Sequence, residues 1–103
     1  MSQYKVIFEN LNWDIPSEGV KNKIFRQGNK QLRLVVFSKD MEPHWCETGH
    51  YGYVLEGQME IEYEAEKVLY QTGDGIFIPP GFEHRHRAKV LTDFIKVIFV
   101  EDL

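Results

Sequence analysis

All four histidines and the single cysteine of this 103-residue chain fall in two short segments, His44-Trp45-Cys46-Glu47-Thr48-Gly49-His50 and His84-Arg85-His86. Imidazole nitrogen and thiolate sulfur are the usual protein donors for first-row transition metals. Taken singly, each residue has a plainer reading: a strand histidine is a hydrogen-bonded structural residue, and Cys46 a small buried hydrophobe. Gathered in two clusters, they point instead to one divalent transition metal per chain. His44 and Cys46 are two apart, so on an extended chain both side chains point to one face. His50 starts the next run after a glycine, and His84 comes from a remote segment. His44, Cys46, His50 and His84 are therefore the expected ligands. His86, on the same extended face as His84, is open to three readings: a residue that supports a ligand from behind, an alternative ligand, or a partly buried histidine.

Such convergence needs a scaffold that brings distant segments to one point, and the rest of the chain reads as short strands. No stretch carries apolar residues at helical spacing. Segments 23–27 and 31–38 flank a Gly28-Asn29 turn, the pattern of a hairpin. Segments 51–56 and 58–64 flank Gly57; in the second, Met59, Ile61 and Tyr63 alternate with Glu60, Glu62 and Glu64, as on a strand with one wet face. A short strand at 67–70 ends in Gln71-Thr72-Gly73-Asp74, and one at 75–78 is closed by Pro79-Pro80-Gly81, which must turn. Strands at 83–89 and 93–100 complete the set. The last, with Phe94, Ile95, Val97, Ile98, Phe99 and Val100, is apolar on both faces, so it needs cover from the N-terminal arm or from a partner subunit. Residues 1–103 form one expected domain, with an arm of about residues 1–20 bearing Tyr4, Val6, Phe8 and Trp13.

Twelve Lys and Arg against sixteen Asp and Glu give a formal charge of −4, which speaks against nucleic-acid binding. No apolar run reaches membrane-spanning length and no secretory leader is evident. One cysteine cannot form an intramolecular disulfide and fits a reducing compartment, so the expected location is cytoplasmic.

The two histidine segments resemble the motifs of the cupins. The first cupin motif, Gly, five residues, His-x-His, three or four residues, Glu, six residues, Gly, is matched by Ser38, His44-x-Cys46, His50 and Gly57. The second, Gly, five residues, Pro-x-Gly, two residues, His, three residues, Asn, is matched by Gly73, Pro79-Pro80-Gly81, His84 and Ala88. Cys46 stands where the family has its second His, and His50 where it has Glu. The resemblance implies an all-β fold, the double-stranded β-helix or jelly-roll barrel, and a homodimer. A donor set with three imidazoles and a thiol in place of a carboxylate leans to zinc or iron, with nickel, copper or manganese as alternatives.

The function expected on these grounds is binding or transformation of a small molecule at a divalent metal held in the barrel. The alternatives are a non-catalytic ligand- or metal-sensing module and a barrel with a purely structural zinc. Whether the chain is an enzyme stays open; the resemblance would make it an oxygenase, isomerase or lyase. Tyr51, Tyr53, Phe77 and Phe82, with His86, are the expected pocket wall.

Overall fold

The computed structural model describes residues 4–103. Three strands come first: β1 (Asp14–Ser17), β2 (Val20–Gln27) and β3 (Lys30–Ser38), joined as successive antiparallel pairs with the Gly28-Asn29 turn between the last two. A loop carrying His44 and Cys46 leads to β4 (His50–Glu56), followed by β5 (Gln58–Glu62), β6 (Lys67–Gln71), β7 (Gly75–Ile78), β8 (Arg87–Val90) and β9 (Phe94–Asp102). They form a six-stranded sheet in the order β1-β2-β3-β9-β4-β7 and a three-stranded sheet in the order β6-β5-β8. β4 and β5, separated only by Gly57, enter different sheets, so the chain crosses the barrel there. No helix among the described residues is long and apolar enough to cross a membrane.

The two sheets close over a core to which β3 gives Val35, β4 Val54, β5 Met59 and Ile61, β7 Ile76 and Ile78, and β9 Ile95, Val97 and Phe99. Removing each such side chain from water contributes about 1.5–3 kcal/mol. β9 lies between β3 and β4 and pairs with β3 along its whole length, from Lys30 opposite Asp102 to Ser38 opposite Phe94.

The doubly apolar character of β9 resolves into two faces. Ile95, Val97 and Phe99 are buried, whereas Phe94 and Val100 of the opposite face stay exposed. The described part of the arm does not cover them: Trp13 packs against the amines of Lys21 and Lys23, and Lys23 Nζ donates to the Phe8 carbonyl at 2.9 Å. Both lysines are on β2, beyond β3 from β9. Residues 1–3 of the arm lie outside the described residues.

One expected strand is corrected. In place of a strand from 83 to 89, Phe82–His84 form a 3-10 turn after Pro79-Pro80-Gly81, and β8 begins only at Arg87. The alternation expected of His84 and His86 therefore fails, because a turn intervenes and rotates the chain.

Close backbone approach decides what Gly52 is. Its neighbours on β9 stand so near that an added Cβ would lie 2.0 Å from the Ile98 carbonyl oxygen and 2.8 Å from Phe99 Cδ1. Gly52→Ala is expected to destabilise the fold by more than about 3 kcal/mol, the upper range of overpacking, in urea unfolding. A loss under 1 kcal/mol would show that β4 and β9 are less tightly joined.

Candidate metal centre

Cys46 and His86 meet across an isolated antiparallel bridge in which Cys46 N–H donates to the His86 carbonyl at 2.8 Å and His86 N–H to the Cys46 carbonyl at 2.9 Å. This bridge holds the two histidine-bearing segments together. Nearby, Gly81 N–H donates to the Glu47 carbonyl at 3.0 Å, and Gly49 passes so close to Pro80 that a Cβ would sit 2.9 Å from its ring. His50 begins β4 opposite Ile78 of β7 and faces the interior. The result is a cluster in which one donor atom from each of Cys46, His50 and His86 lies within 4.8 Å of the others.

Each imidazole has its far nitrogen occupied. His50 Nδ1 donates to Glu101 Oε2 at 2.5 Å, and His86 Nδ1 donates to the His84 carbonyl at 3.1 Å. A carboxylate and a carbonyl can only accept, so both Nδ1 atoms carry a proton, and in the neutral ring it is Nε2 that offers the lone pair. The Nε2 atom of His86 is buried without a hydrogen-bond partner. The ring centroids of His50 and His86 are 5.2 Å apart, edge to face, and His50 is backed by Phe99 at 4.8 Å.

Glu101 anchors the cluster from behind. Its side chain is 5% exposed, and it accepts from Gln31 Nε2 at 2.8 Å, Arg33 Nε at 2.9 Å and Arg33 Nη2 at 2.7 Å as well as from His50. Burial pushes this carboxyl up, but the bonds from His50, Arg33 and Gln31 outweigh it and hold the pKa at about 2. Burial likewise pulls His50 down, and its contacts with Cys46 and Glu101 turn the net shift upward. The imidazoles of His50 and His86 facing Cys46 lower its thiol to about 4 against burial, helped by Thr48 N–H, which donates to Sγ at 3.4 Å. All of this points to an ionised thiol and carboxylate in a site rich in nitrogen donors.

The cluster opens into a cavity of about 210 Å³. Of the four ligands expected from sequence, Cys46 and His50 are in the cluster. His44 lines the same cavity from an exposed loop but is not part of the cluster. His84 is elsewhere: its ring is 44% exposed, near Glu83, and faces a separate groove with Tyr63 and Tyr70. It contributes its carbonyl, and His86 supplies the imidazole. The expected aromatic wall also moves. His50 points inward, so Tyr51 points to the opposite face of β4, where it meets Phe77 at 4.8 Å; Tyr53 follows the same alternation. Phe82 lies exposed on the turn under the Arg85 guanidinium. Phe37 and Phe99 are the aromatic residues that line the cavity.

Arg33, Gln31 and Glu101 escaped the sequence reading. A signal was present: extending the inward alternation of Ile95, Val97 and Phe99 by one step lands on Glu101. A charged residue on a buried face needs a partner.

A two-sheet antiparallel barrel with histidine and cysteine donors converging on an interior cavity defines a small jelly-roll domain with a candidate metal site. The cupin domain family matches residues 32–95, and the chain belongs to it. The fold is similar to KdgF from Halomonas sp., at 27% identity over 93% of this chain and 91% of that one with a TM-score of 0.76. It is also similar to an RmlC-like cupin from Shewanella frigidimarina (17% identity, 98% and 91% covered, TM-score 0.75) and to the polyketide cyclase RemF from Streptomyces resistomycificus (18%, 98% and 80%, TM-score 0.76). Nothing among curated proteins matches the chain.

Glu101 generates a pH prediction. Its folded pKa lies below the ordinary 4.5, so its stabilisation is present above that value and is lost as pH falls toward 2. At neutral pH, Glu101→Gln leaves Arg33 facing a neutral amide and is expected to cost about 3–5 kcal/mol. That difference should shrink between pH 4.5 and pH 2, where wild-type Glu101 itself gains a proton. Thermal unfolding of both proteins across this range checks it; a constant difference would contradict the ionised pair.

Proposed function

We propose that the chain holds one divalent transition metal ion through Cys46, His50 and His86 and presents it to a small molecule in the barrel cavity. The observation that carries this reading is His86 Nε2, a buried ring nitrogen without a hydrogen-bond partner beside a thiol and a second imidazole. An unsatisfied buried polar atom costs about 1–3 kcal/mol, and a metal ion bound by the neutral ring removes that cost. Donors bound to zinc at about 2.0–2.3 Å lie within roughly 4 Å of one another, so the cluster needs to close by only about 1 Å. Two imidazoles and a thiolate suit zinc or iron better than manganese.

Three donors rather than four favour an ion with open positions over a closed structural zinc. When bound, such an ion supplies a Lewis acid that polarises an oxygen of the ligand. The chain's own residues do the rest. Glu101 holds the His50 Nδ1 proton and keeps Nε2 aimed at the cluster, and the His84 carbonyl does the same for His86. Phe37 and Phe99 keep water from the inner wall, and His44 offers a polar group on the entrance loop.

The homodimer reading is supported by the outer face of the six-stranded sheet. Leu32 and Leu34 of β3, Tyr51 and Tyr53 of β4, Phe77 of β7, and Ile98 and Val100 of β9 share that face by register, with Phe77 78% exposed. The strands from β2 to β7 present roughly 600 Å² at ordinary strand spacing. A stable interface needs about 800 Å² per partner, a gap that flanking loops can fill. The apolar centre is flanked by Lys96 on β9 and by Lys21 and Lys23 on β2, and an apolar patch of this kind matches a copy of itself, so a second copy is the occupant proposed.

Protein purified without a metal resin is expected to contain close to one equivalent of zinc or iron by elemental analysis. His86→Ala should weaken binding by more than the roughly 10–100-fold that a supporting residue costs; equal metal in both would refute the assignment. Light scattering is expected to give about twice the 12.2 kDa chain mass, and Val100→Glu to give the monomer. A monomeric wild type at all concentrations would end the dimer reading.

A further inference from the structure

We infer that the ligand taken at this site is a small monoanion with an apolar body, of the size of an aromatic or branched aliphatic carboxylic acid; this rests on the metal reading above. Away from the cluster and the His44 loop the cavity wall is Val20, Phe37, Met59, Ile61, Ile78 and Phe99, with the Ser17 hydroxyl the one polar group among them. Apart from Ser17, no side chain in that set accepts or donates a conventional hydrogen bond. A polyhydroxylated molecule entering here gives up several bonds to water and regains few, whereas a hydrocarbon body loses nothing.

Size narrows the class. An apolar cavity of about 150 Å³ holds benzene. The 210 Å³ here therefore admits one ring, or a branched chain of similar bulk, together with one compact polar head.

Charge selects the head. A divalent ion bound by the Cys46 thiolate and two neutral imidazoles carries one positive charge. Arg33 and Glu101 cancel each other, being joined through two hydrogen bonds. One uncompensated positive charge in a low-dielectric cavity favours a ligand with a single negative charge. Arg33 supplies a second reason. Its guanidinium lies over the Phe99 ring at 5.3 Å and lines the cavity, while only its Nε and Nη2 atoms bond Glu101. Nη1 remains available to a carboxylate, the acceptor that arginine matches best.

The test uses zinc-loaded protein labelled with methyl-13C methionine, because Met41 and Met59 both line the cavity; Met41→Leu and Met59→Leu assign their signals apart from that of Met1. Three probes are titrated: benzoate, glucuronate with the same charge but a hydroxylated body, and benzamide with the same body but no charge. Benzoate is expected to shift both methyl signals and to bind at least tenfold more tightly than either of the others. Signals unmoved by millimolar benzoate, or glucuronate or benzamide binding as tightly, would overturn the inference. Elemental analysis of the same samples separates the two levels. One zinc per chain without a benzoate preference removes the ligand class alone, whereas protein that fails to retain zinc removes the metal site and this inference with it.

Discussion

A carboxylate that stays ionised inside a barrel of this size has to spend its lone pairs on protein donors, and Glu101 does so on both strands that flank its own. It sits on β9, takes Gln31 and Arg33 from β3, and holds His50 on β4. The strands concerned are neighbours in the large sheet, so the same contacts that satisfy the charge also specify their register. A slip of one residue between β9 and its neighbours would turn Glu101 toward solvent and bring Lys96 and Asp102 inward. The penalty for burying either of those without a partner is large. The charged cluster thus selects one alignment among several that hydrophobic pattern alone would tolerate, a role often suggested for buried ion pairs.

The cluster beside it depends on a second set of short backbone contacts. The Cys46–His86 bridge, the Gly81–Glu47 hydrogen bond and the tight passage of Gly49 by Pro80 join two loops far apart in sequence. Backbone hydrogen bonds hold Cys46 and His86 more firmly than loop packing would. His50 gains the same firmness from β4. Three donors are therefore presented with little freedom left to lose on binding, the condition under which a metal site is strong.

Membership in the cupin family says little about chemistry, because one barrel supports many reactions and function resides in the side chains aimed inward. Here those side chains divide sharply. Nitrogen, sulfur and guanidinium groups gather about the cluster, while the remaining wall is aliphatic and aromatic apart from Ser17. The outside divides as well: β2 carries Lys21 and Lys23 under Trp13, whereas Leu32, Leu34, Ile98, Val100, Tyr51 and Tyr53 form an apolar patch on β3, β9 and β4 bordered by Lys96.

Local pattern was enough for most strands, though not for β1, which lies in the segment expected as an arm, nor for the start of β8. Alternation in β5, the Gly28-Asn29 hairpin and the Pro79-Pro80-Gly81 stop locate elements within about three residues, because turn conformation and side-chain alternation are properties of neighbouring residues. It was also enough to pick out Cys46 and His50, and to mark the segment that holds His86. Which histidine of His84-Arg85-His86 faces inward was not legible. That depended on a 3-10 turn ending one residue before Arg85 and on a backbone bridge to Cys46, and a bridge is a contact between segments forty residues apart. Tyr51, Tyr53 and Phe77 were assigned to the pocket by nearness in sequence, yet adjacent strand residues face opposite ways. Arg33 and Glu101 were invisible as a pair for the same reason as the bridge: they are sixty-eight residues apart, and only the closing of β9 against β3 makes them neighbours.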